Sequence, residues 1–418
     1  MLNIDKLRET LTTSISSKKL LIAFSGGLDS YVLLHAIVKL NNIFNDFQIR
    51  AIHIDHGLQK ISAQWSDQCL NICKSLDIDC EIISLGLSIP KGESLEAVAR
   101  EARYQAFKDV LQAGEVLLTA QHQDDQAETL LIQLFRGAGV NGLAAMPVLS
   151  RFGKGHHLRP LLDVSRTSLE AYANFHSLDV IEDPSNQDQC FDRNYLRHDI
   201  ITRLKQRWPS INAVLSRVAH HQAETKDLLA EYLEEDLPLI KGRREGTLSI
   251  TKLKSLSAAR CHALIRYFLS QKGFLAPSSK KLAHIVSDVL NARDDAMPCV
   301  QWQGVEVRRY QDDLYAIPPL SKHDASQCIV WNINQDLYLP SLKRILKVEL
   351  LNDITGFDKE SVDNVEVRFR QGGERIFRAE RKHTFTLKKY FQEMHIAPWE
   401  RDRIPLIYMD NKLVAIAV

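Results

Sequence analysis

Along the first 135 residues, short apolar runs alternate with stretches whose apolar residues recur every three or four positions. KKLLIAF (18–24) is a strand-like run that stops at Ser25-Gly26-Gly27, and Leu28, Val32, Leu33, Ala36, Ile37 and Leu40 follow at helical spacing. IRAIHI (49–54), CEIISL (80–85) and EVLLTA (115–120) predict three more strands, with helices over 62–77, 93–113 and 123–135. Strands alternating with helices of this length imply right-handed crossovers and a mostly parallel sheet covered on both faces. The expected fold class is α/β, a doubly wound sheet. Ligands in such sheets lie beyond the carboxyl ends of the strands. Attention therefore falls on the residues just after 24, 54 and 120.

Beyond residue 160 the pattern changes. Helical spacing is found near 165–178 and 195–206, and a long polar helix is expected after Trp208-Pro209 towards 236, with Pro209 in its first turn. KGRREG (241–246) is a charged break, and Pro318-Pro319 with the polar stretch 321–327 is a second. The expected division is a domain over 1–208, a linker helix over 209–240, and two smaller α+β domains over 241–320 and 340–418.

Composition narrows the function classes. With 45% hydrophobic and 25% charged residues in 418, the chain reads as globular, not disordered or fibrous. Its formal net charge of +1 means that any nucleic-acid surface must be local. No apolar run approaches the roughly 18 residues of a membrane span, and MLNIDKLRETLTTSISSKKL lacks the pattern of a signal peptide. The seven cysteines contain no C-x-x-C pair, which argues against a zinc ribbon or a disulfide framework. A cytoplasmic protein with no membrane partner is expected.

Ser25-Gly26-Gly27-Leu28-Asp29-Ser30 joins the first strand to its helix. Two glycines allow a tight turn with exposed N–H groups, and the helix start adds its positive dipole end. Phosphate could bind there, with Asp29 holding a magnesium ion; a plain strand–turn–helix joint with an N-cap is the alternative. Gly137, Gly139 and Gly142 also spell G-x-G-x-x-G, but they follow a helix and lack the dinucleotide-binding context. HIDHG (53–57) ends the second strand, where Asp55 could serve either a ligand or its own turn. Arg100 and Arg103 lie three apart on a helix, either salt-bridged with Glu96 or aimed at phosphate or RNA. In AQHQDDQAETL (120–130), His122, Asp124 and Asp125 stand where the fourth strand meets its helix. Asp124 and Glu128, four apart, could form a magnesium pair, although acids in a first helical turn also favour the dipole by themselves.

S-G-G-x-D-S after the first strand resembles the PP-loop of the N-type ATP pyrophosphatases, a Rossmann-like fold. The ordered set HIDHGLQ, LEAVAREARY, HQDDQAETLLIQLFRGAGVNGL, RPLL (159–162), EDPSNQDQCFDRNYLR (182–197), RQGGE (370–374) and KKYFQEMHIAPWERDRIPL (388–406) is similar to the tRNA(Ile)-lysidine synthetase family over nearly the full length. Gln59 and Gln121 depart from that family's pattern, where Arg and His are expected. The resemblance implies a ligase that uses ATP and Mg2+ to adenylate the wobble cytidine of an isoleucine tRNA with a CAU anticodon. Free L-lysine then displaces AMP. It implies ATP binding by Ser25, Gly26, Gly27, Leu28, Asp29, Ser30 and Asp55. Metal binding would fall to Asp29, Asp124 and Glu128, and catalysis to Asp29, His122, Asp125 and Arg103. A homodimer is compatible with it.

Between Arg368 and Arg403 there are ten Lys or Arg against five Asp or Glu, interleaved with Phe369, Phe377, Phe385, Tyr390, Phe391 and Trp399. The charges suit RNA phosphate and the aromatics suit the core of a small β module. Arg197, Arg370, Lys388, Lys389 and Arg401 are the candidate tRNA contacts. Two rival readings remain: a PP-loop tRNA thiolase, for which Cys190 would be the residue to test, and a tRNA-binding protein with a vestigial ATP site.

Overall fold

The computed structural model describes residues 2–57, 62–87, 95–181, 191–293, 296–351, 363–378 and 383–417. Gln59, Cys190 and most of the 182–197 motif lie outside them. The chain divides into two compact units, Met1–Leu229 and Ala230–Val418.

The first unit opens with α1 (Ile4–Ser14) and then alternates as the periodicity predicts. Its elements are β1 (Lys19–Ala23), α2 (Leu28–Phe44), β2 (Gln48–Asp55), α3 (Ser62–Ser75), β3 (Asp79–Ser84), α4 (Leu95–Val110), β4 (Val116–Leu118) and α5 (Gln123–Phe135). A short α6 (Val140–Leu143), a hairpin of β5 (Leu149–Phe152) and β6 (Gly155–Leu158), and α7 (Arg166–Phe175) follow. Six strands form one sheet in the order β3-β2-β1-β4-β6-β5, parallel except for the β5–β6 pair. Alternate residues of β1 feed two cores. Leu20 and Ile22 pack with α1, α2, α3 and α7 on one face, while Leu21 packs with Ala106 and Phe107 of α4 and with Leu111 just after it on the other. The chain winds outwards from β1 to β3, then returns to place β4 on the other side of β1. The ends of β1 and β4 therefore flank the topological switch point, where an open α/β sheet leaves a crevice.

The helix expected over 195–206 begins earlier. It runs as α8 (Asp192–Tyr195), a π-helical turn (Leu196–Ile200) and α9 (Ile201–Arg207). The long helix α10 spans Ile211–Asp236. Pro209 lies before it, not in its first turn, because Ser210 already supplies the carbonyl that caps Val214 N. Among the described residues no helix is long and apolar enough to cross a membrane.

The second unit has two antiparallel modules. The first pairs β7 (Leu248–Ser249), β8 (Cys299–Trp302), β9 (Val305–Tyr310) and β10 (Asp313–Ile317) in the order β7-β10-β9-β8. Its core is shared with α11 (Ile250–Lys254), α12 (Ala258–Gln271) and α13 (Ser279–His284). The second module holds β11 (Cys328–Asn332), a hairpin of β12 (Leu337–Leu339) and β13 (Arg344–Leu346), β14 (Asn364–Arg368), and a hairpin of β15 (Arg375–Arg378) and β16 (His383–Thr386). After these come α14 (Leu387–Glu393), α15 (Pro398–Arg401), β17 (Leu406–Met409) and β18 (Lys412–Ile416). Its main sheet has the order β11-β14-β17-β18.

Candidate active site

The loop after β1 is held in shape by its own serines. Ser30 Oγ donates to Gly27 O at 2.9 Å and accepts from Ser25 N at 3.1 Å, with Ser25 Oγ 3.0 Å away. Gly26 has a left-handed φ of +79°, and a Cβ there would meet Ile181 Cδ1 at 2.3 Å. His53, buried at the end of β2, donates from Nδ1 to Phe24 O at 2.9 Å and anchors the loop's entry. Gly27 caps the 17-residue helix α2 without a side chain, so among the described residues no N-cap side chain accepts from its first N–H groups. Such an end is ready for an anion.

Asp29 and His122 meet across the switch point. His122 ends the pairing of β4 with the chain after β6, through an isolated parallel bridge to Leu161, and caps α5. Its Nδ1 accepts from Asp124 N at 3.2 Å, and its own N–H donates to Asp125 Oδ2 at 3.1 Å. That acceptor role places the ring proton on Nε2 in the neutral tautomer. Nε2 faces Asp29 Oδ2 at 3.6 Å and Asp125 Oδ2 at 3.5 Å. The ring is only 2% exposed. Burial opposes charge on the imidazole, but Asp29, Asp125 and Asp124 outweigh it and raise its pKa. Burial likewise opposes ionisation of Asp29, yet His122, Arg166 and Arg197 hold its carboxyl below the usual range.

Three residues that the sequence did not single out complete the site. Arg166 Nη1 lies 2.9 and 2.7 Å from the two Asp29 carboxylate oxygens, while its backbone N donates to Asp124 Oδ1 at 3.2 Å. It follows the Ser165 cap of α7, close to the quoted RPLL, which was the only available signal. Lys205 Nζ (3.1 Å) and Asn212 Nδ2 occupy Asp124 Oδ2.

Asp124 and Glu128, the expected magnesium pair, share a helix, and protein donors engage both carboxylates. Glu128, 1% exposed, is gripped by Arg197 at 2.6 and 3.0 Å and by Arg193 at 3.2 Å. Every carboxylate oxygen of the pair already faces a protein donor. Asp29 and Asp125 are engaged as well, by Arg166, His122 and Arg197, but Asp29 stands in the first turn of α2, at its positive dipole end. Among the described residues no group of three or more His, Cys, Asp or Glu could hold a metal alone. Magnesium commonly takes one or two carboxylates and completes its shell with phosphates and water.

The other candidates are placed as follows. Asp55 accepts from Gly57 N at 2.8 Å, serving its own turn. Arg103 and Arg100 flank Tyr104, their guanidinium carbons 5.7 and 4.9 Å from its ring centre. The Glu96 side chain is outside the description. Arg197, expected at tRNA, binds Glu128 and reaches Asp125 at 3.3 Å. Lys388 and Lys389 are exposed on α14. Arg370 pairs with Asp402 at 3.0 Å. Arg401, expected at tRNA, is 8% exposed, with Nε on Ile396 O at 3.0 Å and Nη2 on the Tyr310 hydroxyl at 2.8 Å. Phe369 and Phe391 are core residues, as the β-module reading expects.

A PP-loop domain model matches residues 3–204, a TilS substrate binding domain 248–315 and a TilS substrate C-terminal domain 365–418. A tRNA(Ile)-lysidine synthase of Coxiella burnetii is 42% identical over 412 residues, covering 99% of this chain and 91% of its own length. The chain belongs to the tRNA(Ile)-lysidine synthase family. A member from Serratia proteamaculans is 41% identical over 418 residues, covering 99% of this chain and 94% of its own. One from Legionella pneumophila (strain Paris) is 38% identical over 401 residues, with 96% and 90% covered. Across this family match, the PP-loop domain contains the whole Asp29–His122–Asp125 cluster.

Proposed function

We propose that the chain joins free lysine to the wobble cytidine of a CAU-anticodon isoleucine tRNA, at the expense of ATP cleaved to AMP and pyrophosphate. The observation that carries this reading is the meeting of Asp29, Arg166, His122 and Asp125 at the switch point, beside an uncapped helix start. ATP phosphates would take the N–H groups at the start of α2, with Gly26 and Gly27 permitting close approach. Asp29, with Asp125 beside it, would hold Mg2+, which neutralises charge between the α-phosphate and the departing pyrophosphate.

The chain's own groups account for the remaining steps. Arg166 keeps Asp29 ionised and aimed, and its fixed positive charge adds to the field at the phosphates. His122 holds its proton on Nε2 between two carboxylates, so it acts as a donor that fixes them. A protonated lysine amine must lose a proton before it attacks C2 of the adenylated ring. A carboxylate of the site that the metal leaves free would accept it.

The test incubates the protein with ATP, Mg2+, labelled lysine and an isoleucine tRNA transcript bearing CAU. Lysine entering the RNA with parallel AMP release is expected. AMP release without lysine incorporation would redirect the chemistry to another nucleophile, and neither signal from folded, tRNA-binding protein would sink the reading.

A further inference from the structure

The two modules of the second unit meet around α15. The Trp399 ring stands edge-on to Tyr315 (centroids 5.2 Å apart, 87° between planes) and to Tyr310 (6.4 Å, 80°). The Arg308 guanidinium carbon lies 5.3 Å from its ring centre. These three partners belong to β9 and β10 of the first module, whereas Trp399 belongs to the second. Polar contacts bracket the ring. Arg244 Nη1 donates to Glu400 at 2.5 Å, Arg401 donates to the Tyr310 hydroxyl, and His395 Nδ1 lies 2.9 Å from the Gln311 side chain.

We propose that α15 is a lock that fixes the two modules as one body for gripping folded RNA, with Trp399, Glu400 and Arg401 as positioning residues rather than RNA contacts. This rests on the tRNA-modifying reading above. Arg401 is buried, with Nε on Ile396 O and Nη2 on the Tyr310 hydroxyl, which turns it towards the protein interior and away from a phosphate. Burying a guanidinium is costly, and here the hydrogen bond to the Tyr310 hydroxyl, which offsets part of that cost, ties one module to the other. The physical gain is preorganisation. Two modules joined only by the chain around Pro318–Gln327 would lose orientational freedom on binding a rigid RNA, and a lock moves that cost into folding.

The experiment uses the full chain with Arg244→Glu, Glu400→Arg, the double swap, and Glu400→Gln. Thermal melting confirms folding; filter binding over a salt series gives tRNA affinity, and lysine incorporation gives kcat and KM. Each single change is expected to raise the tRNA Kd and KM about tenfold. kcat at saturating tRNA, KM for ATP and the salt slope should stay near wild type, because no phosphate contact is removed. The double swap should recover most of the loss, and proteolysis within 318–327 should quicken only in the singles. If a charge reversal prevents folding, Glu400→Gln carries the test with a smaller shift in the same direction. Folded variants that bind tRNA like wild type would overturn the lock, as would a double swap no better than the singles. Wild type that binds tRNA without incorporating lysine would sink the catalytic reading while the binding comparison still judges the lock. Wild type that binds no tRNA would overturn both.

Discussion

Gly26 carries a conformational requirement that no other residue type meets. Its φ of +79° is left-handed, and an added methyl would lie 2.3 Å from Ile181 Cδ1 and 3.0 Å from Cys69 Sγ. Gly26→Ala should therefore distort the loop, costing roughly 1–3 kcal/mol locally and raising KM for ATP at least about tenfold. Steady-state kinetics with varied ATP would show it, and an unchanged KM would mean that the loop does not set ATP affinity. His157 makes a different prediction. It is 1% exposed, its Nε2 lies 2.6 Å from Thr119 Oγ1, and burial with Arg159 and Arg100 nearby pushes its pKa down to about 3. In the unfolded chain it takes up a proton near pH 6.5, whereas the folded chain refuses it until about pH 3. The stability it contributes is fully present above pH 6.5 and drains away as pH falls towards 3. His157→Gln keeps the contact with Thr119 without titrating. Between pH 7 and 4, urea midpoints should fall less steeply for this variant, by the equivalent of a few kcal/mol. Parallel curves would place the proton elsewhere.

The contact between α5 and the α8–α9 segment turns on one buried charge. Glu128 is matched by two arginines, and although burial opposes charge on Arg197, Glu128, Asp125 and Asp29 raise its pKa above the ordinary guanidinium value. Glu128→Ala leaves two cations facing an empty buried socket, a loss on the order of 3–5 kcal/mol. Hydrogen exchange should accelerate first across 192–207, and uniform exchange there would show that the apolar contacts of Leu131, Leu196 and Ile201 suffice. The same segment shows what a sequence can disclose. The four strands β1–β4 and the helices between them were legible because their periodicity is local, whereas the short β5–β6 hairpin was not, and Asp29 and His122 were legible because both stand where a strand meets a helix. The spacing of Asp124 and Glu128 was read correctly, but their partners come from Arg166, Arg193, Arg197, Lys205 and Asn212 on later elements. Arg166 reaches Asp29 across 137 positions with no motif of its own. Arg401 was read as a candidate tRNA contact because composition carries no information about burial.

At the scale of the whole molecule, charge decides how tRNA is attracted. With a net +1 there is no strong long-range field, so binding must rest on local surplus such as that between Arg368 and Arg403. Much of that surplus is internally spent: Arg368 pairs with Glu366, Arg370 with Asp402, and Arg401 is buried. Lys388 and Lys389 are different. Leu387 and Phe391, four apart, turn one face of α14 into the core, which leaves both lysines on the exposed side. Each lysine that meets a phosphate releases counterions, worth about 0.7–0.9 in the slope of log affinity against log salt. Lys388→Glu with Lys389→Glu should thus flatten the slope by roughly 1.5 and weaken tRNA binding on the order of tenfold at moderate salt. ATP affinity should stay as it is, because the PP-loop lies in the other unit. Filter binding from low to high salt separates the outcomes. A flatter slope marks lost phosphate contacts, a parallel but weaker line marks altered positioning of the kind assigned to α15, and an unchanged line removes α14 from the RNA surface.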